Sequence, residues 1–315
     1  MAWLTWRQHR WQLLAAAGLL VFAALVALVT DLPIRAAYHR QALSSCLPPA
    51  TRSGCEIIVS HFRSEFGARA SAVRYLVVLP VLPALFVGAP LLAREFEHGT
   101  FRLAWSQGVT RRKWLLSKAL LLSLAIMVAA SLLAVIVMWW RQPFDSINGR
   151  VSPSGFDVEG LVVPAYAFFA LAVGVLAGGL VRRTIPAMSL AAGAFLAVRL
   201  GVEKLLRPHY LPPLHRTASR LTEGVLARNW VIDNRLVDAV GRQISTGRED
   251  VAIVHAQHAQ IDPQEYLLSL GWRRLVTFHP DGRFWTFQAI EMGIFLVLGA
   301  LALIAATWFV NRTPA

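Results

Sequence analysis

The chain has 315 residues, of which 56% are hydrophobic and only 16% charged, with a mean hydropathy of +0.51. Soluble domains carry about 25% charged residues. This composition, with its apolar residues gathered in blocks instead of alternating with polar ones, therefore excludes a soluble fold of this size. The formal charge of +13 lies near those blocks, not on a basic stripe interleaved with aromatics. That excludes a nucleic-acid-binding module and suits pairing with anionic lipid and control of topology.

The first apolar block runs from Leu13 to Val29, behind Trp6-Arg7-Gln8-His9-Arg10. It is longer than the 7–15 residues usual in a secretory signal, so it reads as an uncleaved span with its N-terminus inside. A second span is expected from about Tyr75 to Ala93, bent at Pro80, Pro83 and Pro90. The third, Trp114 to Trp140, is apolar throughout. The fourth and fifth, Leu161 to Leu180 and Ile185 to Leu200, form a tight pair separated by Val181-Arg182-Arg183-Thr184. The sixth spans about Trp285 to Val310. Each block approaches the ~20 residues needed to cross a bilayer core. Of the eleven tryptophans, Trp3, Trp6, Trp11, Trp139, Trp140, Trp285 and Trp308 lie near block ends, where indole prefers the headgroup layer.

Six spans put both termini on one side, and the basic residues choose it. Residues 1–11, 94–118, 182–184 and 311–315 hold 11 Lys or Arg in 44 positions; 31–74, 141–159 and 200–285 hold 19 in 149. The first group is about twice as dense and is assigned to the inside. Cys46 and Cys55, the only cysteines, then fall in an outer loop, where a bridge across their short turn-rich separation is expected, with an unbridged pair as the alternative. The nearby His39 and His61, and the pair His255 and His258, lack zinc-ligand spacing, so no metal site is assigned.

The patterned inner stretch is 94–113. Arg94 to His98 reads as a helical turn that Gly99 breaks; Phe101, Leu103 and Trp105 offer apolar contacts; Thr110 is placed to cap the third span. Composition alone fits a membrane-surface helix as well as a docking element. Glu95 and Glu97, two apart, point in different directions on a helix. No phosphate-binding loop, nucleophile elbow or His-Glu-x-x-His is present, so no catalytic residue is assigned.

The order and spacing of these pieces resemble the ABC-2 type transporter permease family, particularly actinobacterial exporter subunits. The resemblance rests on Glu95, Glu97, Gly99 and Thr100, followed by Arg111, Arg112, Lys113 and Lys118. It is supported by Thr5-Trp6-Arg7-Gln8-His9-Arg10 and by Arg283-Phe284-Trp285-Thr286-Phe287-Gln288-Ala289-Ile290-Glu291. It implies that 94–113 is an intracellular coupling helix docked on an ATPase, with Glu95, Phe96, Glu97, Gly99, Thr100, Arg102, Trp105, Arg111, Arg112 and Lys113 as coupling residues. It further implies a second permease copy or a related permease as partner. ATP and Mg would be bound by the partner ATPase and no cofactor by this chain. The chain departs from the family pattern in the long connection between the fifth and sixth spans.

Near the membrane, Arg199 and Glu203 are four apart and share a helix face, and Glu291 lies inside the sixth span, where a carboxylate must face the bundle, water or a cation. Arg199 is its expected partner, in a structural tie or a gate. The expected architecture is an all-α integral membrane protein. Residues 1–200 supply five spans with the 31–74 outer loop and the 94–113 segment. Residues 201–284 form a small extracellular cap, with helices expected at Leu221–Ile232 and Ala252–Ile261, and 285–315 the last span and a cytoplasmic tail. The expected function is export of an apolar or amphipathic substrate (drug, peptide or lipid) across the cell membrane. A scaffold or sensor with a ligand-binding outer domain is the alternative.

Overall fold

The computed structural model describes residues 2–46, 54–98, 110–218 and 228–312. Among these described residues, six helical stretches are long and apolar enough to cross a membrane: Ala17–Arg40, Ile57–Glu97, Arg112–Asn148, Val162–Val181, Thr184–His209 and Asp281–Arg312. They are built on helices α1 (Ala2–Arg40), α2 (Cys55–Ala72), α3 (Val78–Glu97), α4 (Arg111–Asn148), α5 (Val162–Val181), α6 (Thr184–Gly201) and, after an inserted unit, α9 (Phe284–Arg312). The chain is a multi-pass membrane protein.

Helix α5 is the centre of the bundle. Apart from the Tyr166 hydroxyl its side chains are apolar all round, so no face of it needs water, and α3, α4, α6 and α9 all pack on it. Its closest neighbour is α3, and glycine makes the approach. A Cβ on Gly88 would stand 2.4 Å from the Leu171 carbonyl oxygen, and one on Gly178 would stand 2.3 Å from that of Ala89. Small residues at such crossings let two backbones gain contact where lipid supplies no hydrophobic drive. By contrast α1 is peripheral, with Val21, Phe22, Leu25, Val29 and Leu32 exposed, as side chains facing lipid should be.

Helix α3 continues through Pro83 and Pro90. Thr110 caps α4 as expected, its hydroxyl accepting from the Lys113 N–H at 3.4 Å. The α5–α6 turn is only two residues long, closed by Arg182 in a left-handed conformation (φ 57°) whose N–H reaches the Gly178 carbonyl at 3.1 Å. This turn marks one end of the bundle, here termed the hairpin end.

The opposite end departs from the expected boundaries. Helix α1 runs on past Val29 through Pro33 to Arg40, and α4 past Trp140 to Asn148. Much of the expected 31–74 loop is helical, with α2 leading through a 3-10 turn into α3. These extensions hold one another through Ile34, Leu43, Phe62, Phe66, Trp140 and Phe144. Trp140 is accordingly buried and donates to the Thr30 hydroxyl at 3.0 Å, whereas Trp139, Trp285 and Trp308 are exposed at span ends. Cys46 and Cys55 are joined in a disulfide.

The unit between α6 and α9 corrects the all-α expectation, which holds for the bundle alone. Strands β1 (Leu214–Ala218), β2 (Trp230–Val237) and β3 (Arg273–His279) form an antiparallel sheet in the order β1-β3-β2. Register pairs include Arg216 with Val276 and Asn234 with Val276. Helices α7 (Thr246–His258) and α8 (Pro263–Ser269) complete a small core of Leu236, Ile244, Ala252 and Leu267. Of the expected 221–232 helix, 221–227 lies outside the described residues, Arg228 is helical, and Trp230 to Ile232 is strand. This sheet end meets the bundle at His279, whose ring packs on Trp230 and Phe287 and whose Nε2 lies 3.0 Å from the Pro208 carbonyl.

Candidate coupling and gating sites

At the hairpin end, the last turn of α3 is tied to both flanking helices. Glu95 faces α4, its Oε1 standing 3.9 Å from Lys118 Nζ. Lys118 in turn lies 4.3 Å from the centroid of the Trp114 ring. Glu97 faces α6: its Oε2 accepts from the Thr184 hydroxyl at 2.7 Å and from the Thr184 N–H at 3.4 Å, so it caps the first turn of that helix. Phe96 lies under the Arg182 guanidinium, 5.4 Å away. The two carboxylates do point in different directions, as their spacing requires. Arg112 and Lys113 are exposed at the start of α4. Gly99, Thr100, Arg102 and Trp105 lie outside the described residues, as does the side chain of Arg111.

At the sheet end a chain of alternating charges is buried. Glu291, fully buried in α9, is gripped by Arg207, whose Nε and NH2 donate to its two oxygens at 2.8 and 2.7 Å. The same NH2 reaches Asp157 Oδ1 at 2.6 Å. The other oxygen of Asp157 lies 2.6 Å from Arg199, and Arg199 continues to Glu203 at 3.1 Å. Arg199 and Glu203, expected to share a helix face, are thus also paired. The expected Arg199–Glu291 pair is replaced by Arg199–Asp157 and Arg207–Glu291. Tyr166 places its hydroxyl between Asp157 (3.1 Å) and Glu291, and the Tyr210 hydroxyl donates to Glu291 at 3.0 Å. Burial and the Glu291 charge push the Tyr210 hydroxyl above its ordinary pKa, which keeps it a donor. Arg207 also stacks on Phe156, 4.3 Å from the ring centroid. Beside them Gln288 binds the Val162 N–H and the Phe156 carbonyl, both at 2.9 Å, fixing the start of α5 against α9.

Arg207, Asp157, Tyr166 and Tyr210 were not singled out from the sequence. A signal for Arg207 existed, since it continues the four-residue spacing of Arg199 and Glu203. Between them α6 widens into a π turn, Val202–Leu206, a local device that re-aims side chains and recurs at functional sites. Asp157 carried no signal, because it sits in the loop before α5. Between α1, α3 and α4 lies an open groove lined by Leu19, Leu20, Leu79, Pro83, Ile126 and Ala130, among other apolar side chains. Among the described residues, no group of three His, Cys, Asp or Glu side chains gathers as a metal site.

Six spans among the described residues and a match of residues 16–207 to the family model described as ABC-2 membrane transporter related decide the assignment. The chain belongs to the ABC-2 membrane transporter related family. No curated protein and no solved structure matches it. As an ABC-2 permease it is a transport subunit and not an enzyme. The matched region contains the first five spans, both ties of the α3 turn, and Arg199, Glu203 and Arg207. The sheet, α7, α8 and α9, including Glu291, lie beyond it.

Proposed function

We propose that this permease is the membrane-spanning subunit of an ATP-driven exporter, paired with a second permease and driven by a separate ATPase that docks on residues 94–113. The observation that carries the reading is the double tie of the α3 turn. A force on that turn is delivered to α4 through Glu95–Lys118 and to α6 through Glu97–Thr184. Helix α6 runs unbroken from Thr184 to the π turn, where Arg199 enters the Arg199–Asp157–Arg207–Glu291 chain. Closure of the ATPase pair at the hairpin end then works on the ionic closure at the sheet end, which is the logic of alternating access. In this reading 94–113 and both termini are cytoplasmic, by the density of basic residues, and the 201–284 unit is an extracellular cap over the exit. The apolar groove between α1, α3 and α4 favours a substrate with a hydrocarbon part.

Charge reversal of Glu95 and Glu97 tests the docking role, with Arg112→Glu/Lys113→Glu as a second variant that spares the ties to Lys118 and Thr184. Both are expected to insert and remain folded while retaining less ATPase on purification. Normal ATPase yield in both variants counts against the assignment. A sensor or scaffold reading draws on one observation, that the sheet unit has its own core; it gains if the purified permease carries no ATPase at all.

A further inference from the structure

A second buried ionic cluster lies at the sheet end, and the transport reading makes no use of it. Arg141 and Asp145 are four apart in α4, and Glu159 sits in the loop before α5. Arg141 NH2 donates to Asp145 Oδ1 at 3.2 Å and its Nε donates to Glu159 Oε1, so one guanidinium serves two carboxylates. The exposures are 3% for Arg141, 4% for Asp145 and 0% for Glu159. Helix α2 closes the site by offering the Ala70 carbonyl to Arg141 NH1 at 3.2 Å. Gly155 closes it from the loop, where a Cβ would come within 2.4 Å of Arg141 NH2.

Among the described residues, the second oxygens, Asp145 Oδ2 and Glu159 Oε2, have no hydrogen-bond donor. Neighbouring nitrogens of Arg141 hold the two carboxyl groups side by side, each by one oxygen. Two ionised carboxylates in that position would be two acceptors facing each other, each carrying the penalty of a buried, undonated charge. The other nearby cation, Arg150, is a third exposed and its Nε stands 3.7 Å from Asp145 Oδ2, too far for a hydrogen bond. One proton between the carboxyls supplies the missing donor and matches the charge of the pair to that of Arg141.

We propose that Asp145 and Glu159 share one bound proton at neutral pH, making this cluster a proton-binding site of the permease. The charged groups that act on Glu159 are Asp145, Arg141 and Arg150. From the start of α9, Asp281 accepts from the Arg150 N–H at 2.5 Å and pairs with Arg228 at 3.8 Å. Asp157 faces the other way, onto Arg199 and Arg207. Burial, followed by the Asp145 charge, pushes the Glu159 carboxyl up to about 8 despite Arg141. The folded chain then holds a proton that the unfolded chain has released, from about pH 4.5 upward. Its contribution to stability is complete below that pH and is lost as the pH rises through about 8. Deprotonation sets two like charges against each other where α2, α4 and the lead into α5 meet. In the proposed orientation, the site responds to the proton concentration outside the cell; the proton itself is testable whether or not the transport reading holds.

The test is infrared difference spectroscopy on the full chain in lipid nanodiscs, taken from about pH 6 to about pH 9, with Glu159→Gln and Asp145→Asn alongside. The wild type is expected to show the carbonyl stretch of a protonated carboxylic acid that disappears across this range. Glu159→Gln should lack that band, and Asp145→Asn should lose it at lower pH because the like charge is gone. Melting temperature should fall with rising pH in the wild type more than in Glu159→Gln, whose amide keeps a donor in place. A wild-type spectrum with no band removed by Glu159→Gln overturns the proposal. So does a band midpoint unmoved by Asp145→Asn, which serves as the deciding comparison if Glu159→Gln fails to fold.

Discussion

Replacing Glu291 with Leu should be among the most damaging single changes in the bundle. It removes two of the acceptor oxygens of Arg207, which is 1% exposed, and leaves the Tyr166 and Tyr210 hydroxyls without that acceptor. Breaking a buried ion pair from one side costs about 3–5 kcal/mol, because the remaining charge stays buried. Asp157, still 2.6 Å from Arg207, offsets part of that, so the lower end, about 3 kcal/mol, is expected. That is roughly a hundredfold shift in the folding equilibrium. The double variant Arg207→Met/Glu291→Leu removes both charges, and Asp157 retains Arg199 at 2.6 Å. It should therefore recover most of the loss, with a coupling of at least about 2 kcal/mol. Equilibrium unfolding in mild micelles measures all members of the cycle. A Glu291→Leu variant within about 1 kcal/mol of wild type, or a double variant equal to the sum of the singles, would refute the buried-network account.

Unreduced protein should resist thiol labelling at Cys46 and Cys55, and replacing both by Ala should cost about 2.5–3 kcal/mol from the entropy of the short loop they close. Unfolding and maleimide uptake, with and without reductant, check both statements. Gly88→Val should cost at least about 1–3 kcal/mol, since its Cβ would stand 2.4 Å from a backbone oxygen of α5. Gly193→Ala has nothing within 4 Å and should be neutral or stabilising, by up to about 1 kcal/mol in melting experiments. Thr184→Val removes the hydroxyl that binds Glu97 and should leave the fold intact while lowering ATP-driven transport in the reconstituted complex; unchanged transport would show that the tie carries no force.

The spans were legible because a lipid-facing helix needs an unbroken apolar run, which survives as a one-dimensional signal. Their ends at the sheet side were not. Beyond Val29, α1 is held by Arg35 on the Trp139 carbonyl, a contact that depends on α4 being alongside. The sheet was hidden for the same reason: β1 pairs with β3 some sixty positions later, and neither strand has a marked alternation of its own. Glu291 announced itself, as an intramembrane carboxylate must, but its partner Arg207, although on the four-residue spacing of Arg199 and Glu203, lay past a π turn that no spacing rule anticipates. Asp157 and Glu159 read as ordinary loop acids. They are the most deeply paired residues of that loop, pointing in opposite directions into two ionic clusters.

The claim that most needs testing is that the hairpin end receives an ATPase. Purifying the chain from its native membrane in mild detergent and asking whether an ATPase subunit co-elutes addresses it directly. A stoichiometric ATPase is expected to co-elute and to be lost from the Glu95/Glu97 charge-reversal variant. A folded permease that elutes without any ATPase would contradict it and make the sheet unit the next place to look for a partner.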